Sequence, residues 1–228
     1  MKNDKGLILC YNKLGLMERR RKERGKAMEI KRIDAYDDPR FSPVVLAQHG
    51  AFLAEGLPFA VEILSAGEAV ISGQPAAYYP PVIEEFRFYA EHISRIYDKN
   101  GRIVAQFPPV ELFDVEIEAI QPSQFYADAD KVAQVSTFIH KPEDVVIPLM
   151  EYEGRYLSLD GHTRLYAANQ KGFRKVKGFI SSAGDYIFAF AKEAQARGVY
   201  TPKDLRLLSH PDYCVLWHQF CDDFFGRG

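Results

Sequence analysis

Asp160-Gly161-His162-Thr163-Arg164 is the segment of this sequence whose residue types and order could do chemistry. It follows Leu157-Ser158-Leu159, which reads as the end of a strand, and opens Leu165-Tyr166-Ala167-Ala168, which reads as a helix. A strand passing into a helix across Asp-Gly leaves the first helical N–H groups without intrahelical partners, at the positive end of the helix dipole. That arrangement suits an anion. Gly161 admits backbone conformations closed to other residues and lets a ligand approach the main chain. Thr163 adds a hydroxyl, and Arg164 adds a planar fork that can grip two phosphate oxygens. His162 could donate to a phosphate or shuttle a proton. Asp160 could hold the loop, bind Mg2+ or accept a hydroxyl proton. The plainer alternative is an ordinary helix cap at Asp160 with Arg164 as a surface side chain.

The elements that must position this turn can be read from periodicity and punctuation. Residues 28–110 form a first region, with a strand at Ile30 to Ile33 and a small antiparallel meander from Ala51 to Ser72. A long helix is expected from Pro80-Pro81, its stripe running through Val82, Phe86, Tyr89, Ile93 and Ile96 and its end at Asn100-Gly101. Phe107-Pro108-Pro109 is the linker candidate. Leu112 to Ile120 alternates like one strand, and Asp128 or Asp130 could cap a helix running to about Ile139. Strands are expected at Val145 to Leu149, Tyr156 to Leu159 and Val176 to Ile180, with a helix at Thr163 to Lys171 stopped by Gly172. Residues 183–228 read as a helical extension. It holds a helix from Ala183 to Ala196, a short one at Pro202 to Leu207, and a last one through Phe225. The last helix should dock through Tyr213, Leu216, Trp217, Phe220 and Phe224. Adjacent strands mixed with strands separated by helices give an α+β class.

From about Leu112 to Ile180 the chain resembles the ParB/sulfiredoxin superfamily. The residues that carry the likeness are Ile120-Gln121-Pro122-Ser123-Gln124, Val146-Ile147-Pro148-Leu149, the run from Tyr156 to Arg164, and Gly172-Phe173 before a final strand. The resemblance implies a mixed sheet with helices over residues 111–182. It also implies a nucleotide (ATP, ADP or CTP, with Mg2+) whose phosphates are held by Gly161, His162, Thr163 and Arg164. Ser123, Gln124 and Asp128 would face a small hydroxyl-bearing substrate. Sulfiredoxin-like members carry a Cys two residues before the Arg, where His162 stands, so sulfinic-acid reduction is disfavoured. Partition-type ParB proteins continue into a helix-turn-helix region, for which the residues after Ile180 provide no basic recognition helix. The free-serine-kinase-like members are nearest around Asp-Gly-His-x-Arg, with Thr163 at the place of a second His. Their general base is a Glu where this chain has Gln124, which cannot take a proton. Asp128 or Asp160 must then substitute, with His162 as a further catalytic candidate, or the chain binds nucleotide without acting as a kinase. The expected function is therefore a phosphotransferase or nucleotide hydrolase, or alternatively a nucleotide-sensing DNA- or protein-binding module.

Composition bounds the rest. The chain has 228 residues, 47% hydrophobic and 26% charged, which excludes collagen-like and wholly disordered architectures. The three cysteines, Cys10, Cys214 and Cys221, are too few for a disulfide scaffold and point to a cytoplasmic location. No apolar run reaches the length of a membrane span. The formal charge is −2, but residues 1–27 carry nine Lys/Arg against three acids. That segment is expected to be a disordered tail or to lie upstream of the natural start. The acidic remainder argues against DNA as a partner, with residues 19–26 the stretch through which DNA could be held. Cys214, His218 and Cys221 share a helix face, yet the two thiols would lie about 10 Å apart along it. No metal-ligand set is therefore assigned, and His210 is expected to be a cap or surface residue.

Overall fold

The computed structural model describes residues 28–226, and these fall into two compact units, 28–110 and 111–226. The basic segment 1–27 lies outside the described residues. The fold class is α+β. No helix among the described residues is long and apolar enough to cross a membrane.

The unit 28–110 is a six-stranded sheet in sequential order: β1 (Ile30–Arg32), β2 (Ala51–Ala54), β3 (Leu57–Ser65), β4 (Glu68–Gly73), β5 (Arg95–Asp98) and β6 (Ile103–Gln106). A short helix α1 (Pro43–Ala47), capped by Ser42, precedes β2. β1 to β4 pair antiparallel, as the glycine-broken apolar runs require. Helix α2 (Tyr79–Arg87) then crosses over so that β5 joins β4 in parallel. The long helix expected through Ile96 is not formed. The chain leaves the helix after Arg87, whose guanidinium donates to the carbonyls of Glu91 and Ile93 and stabilises the turn. Ile96 lies on β5 opposite Ala69, and Asn100-Gly101 is a hairpin turn held by Asp98. Val82, Phe86, Ile93 and Ile96 all enter one core with Phe52 and Phe59, so the apolar spacing is satisfied by a helix and a strand in succession.

In the unit 111–226, the sheet order is β7 (Phe113–Glu116), β12 (Lys175–Ile180), β10 (Val146–Tyr152), β11 (Arg155–Ser158), β8 (Ile120–Pro122). The single strand expected from Leu112 to Ile120 is thus two, broken by a tight turn at Ile117–Ala119. The alternation survives in burial, with Val115 and Ile117 inside and Asp114, Glu116 and Glu118 outside. Consecutive strands β7 and β8 occupy opposite edges. A flat sheet would separate those edges by about 19 Å, four gaps at ~4.8 Å. The four residue steps from Glu116 to Ile120 span at most roughly 14 Å. The sheet must therefore curl, and it does so around a core of Ile120, Val135, Ile147, Leu149, Leu165 and Val176. Helices α3 (Ala129–Ser136) and α4 (His162–Gln170) contribute Val135 and Leu165 to that core.

The C-terminal segment builds a second core of the same unit. Helix α5 (Tyr186–Ala196) starts three residues later than expected. Thr201 begins a short turn at Pro202–Asp204, with its amide and hydroxyl donating to Asp204. The expected helix to Leu207 gives way to strand β13 (Arg206–Leu208), paired in parallel with β9 (Tyr126–Asp128). Helix α6 (His210–Gly226) buries Tyr213, Trp217 and Cys221, while Leu216 faces outward. Trp217 meets Phe125 edge-on with ring centroids 4.9 Å apart, and Phe190 completes the cluster. These contacts join the last helix to the start of β9.

Candidate functional site

The Asp160–Arg164 turn lies where β11 leaves the curled sheet. Gly161 is the N-cap of α4 in the left-handed region, φ 80°, and no side chain caps the helix. A Cβ there would stand 2.7 Å from Ile147 Cδ1 and 3.1 Å from Arg164 Nη2, so the position requires glycine on space as well as on backbone angle. The Arg164 side chain folds back across the turn, with Nη2 3.7 Å from the Asp160 carboxylate. Both side chains are partly exposed, and a pair of this length and exposure is weakly held. The first N–H groups of α4, the Thr163 side chain and the Arg164 fork are therefore gathered at one helix end.

His162 plays a different part from the one expected. Its ring is buried, and Nε2 accepts the backbone N–H of Ser123 at 3.1 Å and lies 3.0 Å from the Ser158 hydroxyl. Because a backbone N–H can only donate, Nε2 is an acceptor and the ring is the neutral Nδ1–H tautomer. Burial holds the imidazole down to about 4, with the nearby Arg164 charge acting the same way and Asp160 opposing. What His162 brings to the turn is its backbone N–H, while its side chain fastens β8 to the helix start. A proton shuttle at His162 does not fit that environment.

Ser123 and Gln124 are likewise occupied. The Ser123 hydroxyl donates to the Ser158 carbonyl at 2.7 Å, and the residue is buried, so it does not face an acceptor. The Gln124 amide donates to the Tyr213 hydroxyl at 2.7 Å. Asp128 is fully buried and caps α3, with Oδ1 accepting from the amides of Asp130 and Lys131. Its Oδ2 meets His210 Nδ1 at 2.7 Å. Asp128 is thus no free base for a substrate hydroxyl, which leaves Asp160 as the accessible carboxylate among the candidates.

Tyr213 is buried on α6, and its hydroxyl accepts from the Gln124 amide. Burial raises its hydroxyl well above the usual value, against the Gln124 hydrogen bond, with Cys221, Asp128 and Asp160 adding to the rise. Sequence reasoning placed Tyr213 on the docking face of the last helix and His210 as a cap or surface residue, but foresaw neither partner, Gln124 or Asp128, because both residues enter from α6. His210 before Pro211 has no local signature, and its partner Asp128 stands more than eighty residues earlier. Asp128, Asp130 and His210 also place a carboxylate or imidazole atom each within 4.8 Å of one another.

No protein-family model matches the chain, and no curated protein matches it. Among solved structures, the chain is similar to protein Atu1540 from Agrobacterium tumefaciens, at 16% identity and a TM-score of 0.32. The superposition covers 44% of this chain and 63% of that one.

Proposed function

We propose that the unit 111–226 binds a nucleotide, ATP, ADP or CTP, through its phosphates at the Asp160–Arg164 turn, in the manner of the ParB/sulfiredoxin superfamily it resembles. The observation that carries this reading is Gly161: a left-handed N-cap with no side-chain cap, in a cradle that a single added carbon would fill. The backbone N–H groups of His162, Thr163 and Arg164 would meet the phosphate oxygens, and the Thr163 hydroxyl would add a donor. Arg164 would exchange its weak contact with Asp160 for a bidentate grip on phosphate. The donor set suits Mg2+ as well, since that ion is typically held by one or two carboxylates together with substrate phosphates, and Asp160 supplies the carboxylate. Bound there, Mg2+ would neutralise phosphate charge. Of the activities compatible with such a turn, transfer to a small hydroxyl-bearing acceptor would place Asp160 beside the acceptor. Binding without transfer is favoured by the engagement of Ser123, His162 and Asp128 within the fold.

Thermal unfolding followed with ATP, ADP and CTP, each with and without Mg2+, tests the reading. A ligand that binds only the folded state raises the midpoint. A nucleotide-selective rise that disappears in Arg164→Ala supports the site. A flat response to all three nucleotides refutes it.

A further inference from the structure

Asp128, His210 and Cys214 form a continuous line of hydrogen-bonding groups. Asp128 Oδ2 lies 2.7 Å from His210 Nδ1, and His210 Nε2 lies 3.4 Å from Cys214 Sγ. The donors and acceptors are fixed by chemistry. Asp128 is a carboxylate whose other oxygen already accepts two backbone N–H groups, so Oδ2 accepts and Nδ1 carries the ring proton. In the neutral ring Nε2 then carries the lone pair and faces the thiol.

His210 and Cys214 are one helical turn apart at the start of α6, so the helix itself sets their approach. Asp128 is fully buried, whereas the His210 side chain is 39% exposed and Cys214 is half-buried. A rigid buried orienter, a base and a partly accessible nucleophile are the three parts of an activated thiol. Cys221 has none of this. It sits in the aromatic core, and burial pushes its thiol up.

We propose that Cys214 is a nucleophilic thiol, activated by His210 and oriented by Asp128, that reacts with hydroperoxides. Acyl transfer is the poorer match. Cys214 is the fifth residue of α6, so its backbone N–H is turned into the helix and cannot stabilise an oxyanion. Reduction of a hydroperoxide needs no such donor. The thiol proton passes to His210 Nε2, and the sulfur attacks the terminal peroxide oxygen. The S–O bond forms as the O–O bond breaks, and the imidazolium gives its proton to the departing oxygen. Sulfur is oxidised by two electrons to the sulfenic acid, and the hydroperoxide is reduced to an alcohol, or to water where it is hydrogen peroxide. Around the relay stand the Asp130 carboxylate, Lys131 with its ammonium 5.1 Å from the Tyr213 ring, and His218 with its ring 5.6 Å from that of Tyr213.

The full chain can be tested with iodoacetamide at neutral pH, the modified cysteine being located by fragmentation mass spectrometry. Cys214 is expected to react at least about tenfold faster than glutathione, the advantage of a thiol held partly as thiolate. His210→Gln should remove that advantage. Asp128→Asn should do the same, because the amide keeps the α3 cap while presenting an N–H that reverses the imidazole tautomer. Circular dichroism identifies which variants are folded, and a folded one of either kind is decisive. Reaction at the glutathione rate, or an undiminished rate in a folded variant, overturns the activation. A second arm treats the protein with hydrogen peroxide and then dimedone. A dimedone adduct on Cys214 supports the hydroperoxide assignment, and fast alkylation without that adduct overturns it.

Discussion

The backbone N–H of Ser123 donates to Nε2 of His162 across 3.1 Å, tying the end of β8 to the first residue of α4. The burial of this ring makes stability depend on pH in a defined direction. The folded imidazole titrates at about 4, below its ordinary 6.5, so between those values the unfolded chain binds the extra proton. The contribution is complete above about pH 6.5 and is lost as pH falls towards 4. A shift of this size corresponds to about 3 kcal/mol over the whole window. Urea midpoints measured from pH 7.5 to 4 should fall more steeply for the native chain than for His162→Gln. Parallel slopes would show that the ring is not held neutral.

Gly161→Ala should destabilise the unit 111–226 by about 1–3 kcal/mol, through left-handed strain plus overlap with a core side chain. The overlap is with Ile147, which is fully buried and cannot withdraw. Arg164 offers no such resistance, because a guanidinium can swing away. The denaturant midpoint is the readout, and an unchanged midpoint would mean that the turn relaxes freely.

Arg164→Ala separates the ligand from the fold. The pair with Asp160 is exposed enough that its loss should change stability by no more than about 1 kcal/mol. Nucleotide-dependent stabilisation should vanish in the same variant. Arg164→Lys should recover only part of it, since an ammonium lacks the bidentate fork. Isothermal titration of the three proteins distinguishes these outcomes.

The last helix is part of the core and not an appendage. Trp217 is 2% exposed and packs against Phe125, Phe190 and Phe220. Trp217→Ala should cost about 3–5 kcal/mol. Truncation after Leu208 should expose the Phe125–Phe190 surface and convert cooperative melting into a broad transition with dye binding. A sharp transition in the truncated chain would refute this role.

Local signals located much of the fold. Glycine-broken runs marked the meander at Ala51 to Ser72, the helix cap was legible as Asp128 or Asp130, and Asp160-Gly161 as a strand-to-helix turn. Apolar spacing misled where two element types serve one core. Val82, Phe86, Ile93 and Ile96 keep a helical period although Ile96 is on a strand. Leu112 to Ile120 keeps a strand alternation although its halves sit on opposite sheet edges.

The sequence by itself determined the α+β class and where the turn lies along the chain, because caps, glycine breaks and period are properties of neighbouring residues. Only tertiary structure decided what each side chain there is available for. Ser123 and His162 are 39 residues apart, Gln124 and Tyr213 are 89, and Asp128 and His210 are 82. Whether a serine, histidine or aspartate holds the fold or faces a ligand depends on its hydrogen-bond partners. At such separations those partners are set by the curl of the sheet and the docking of α6, which no local pattern encodes.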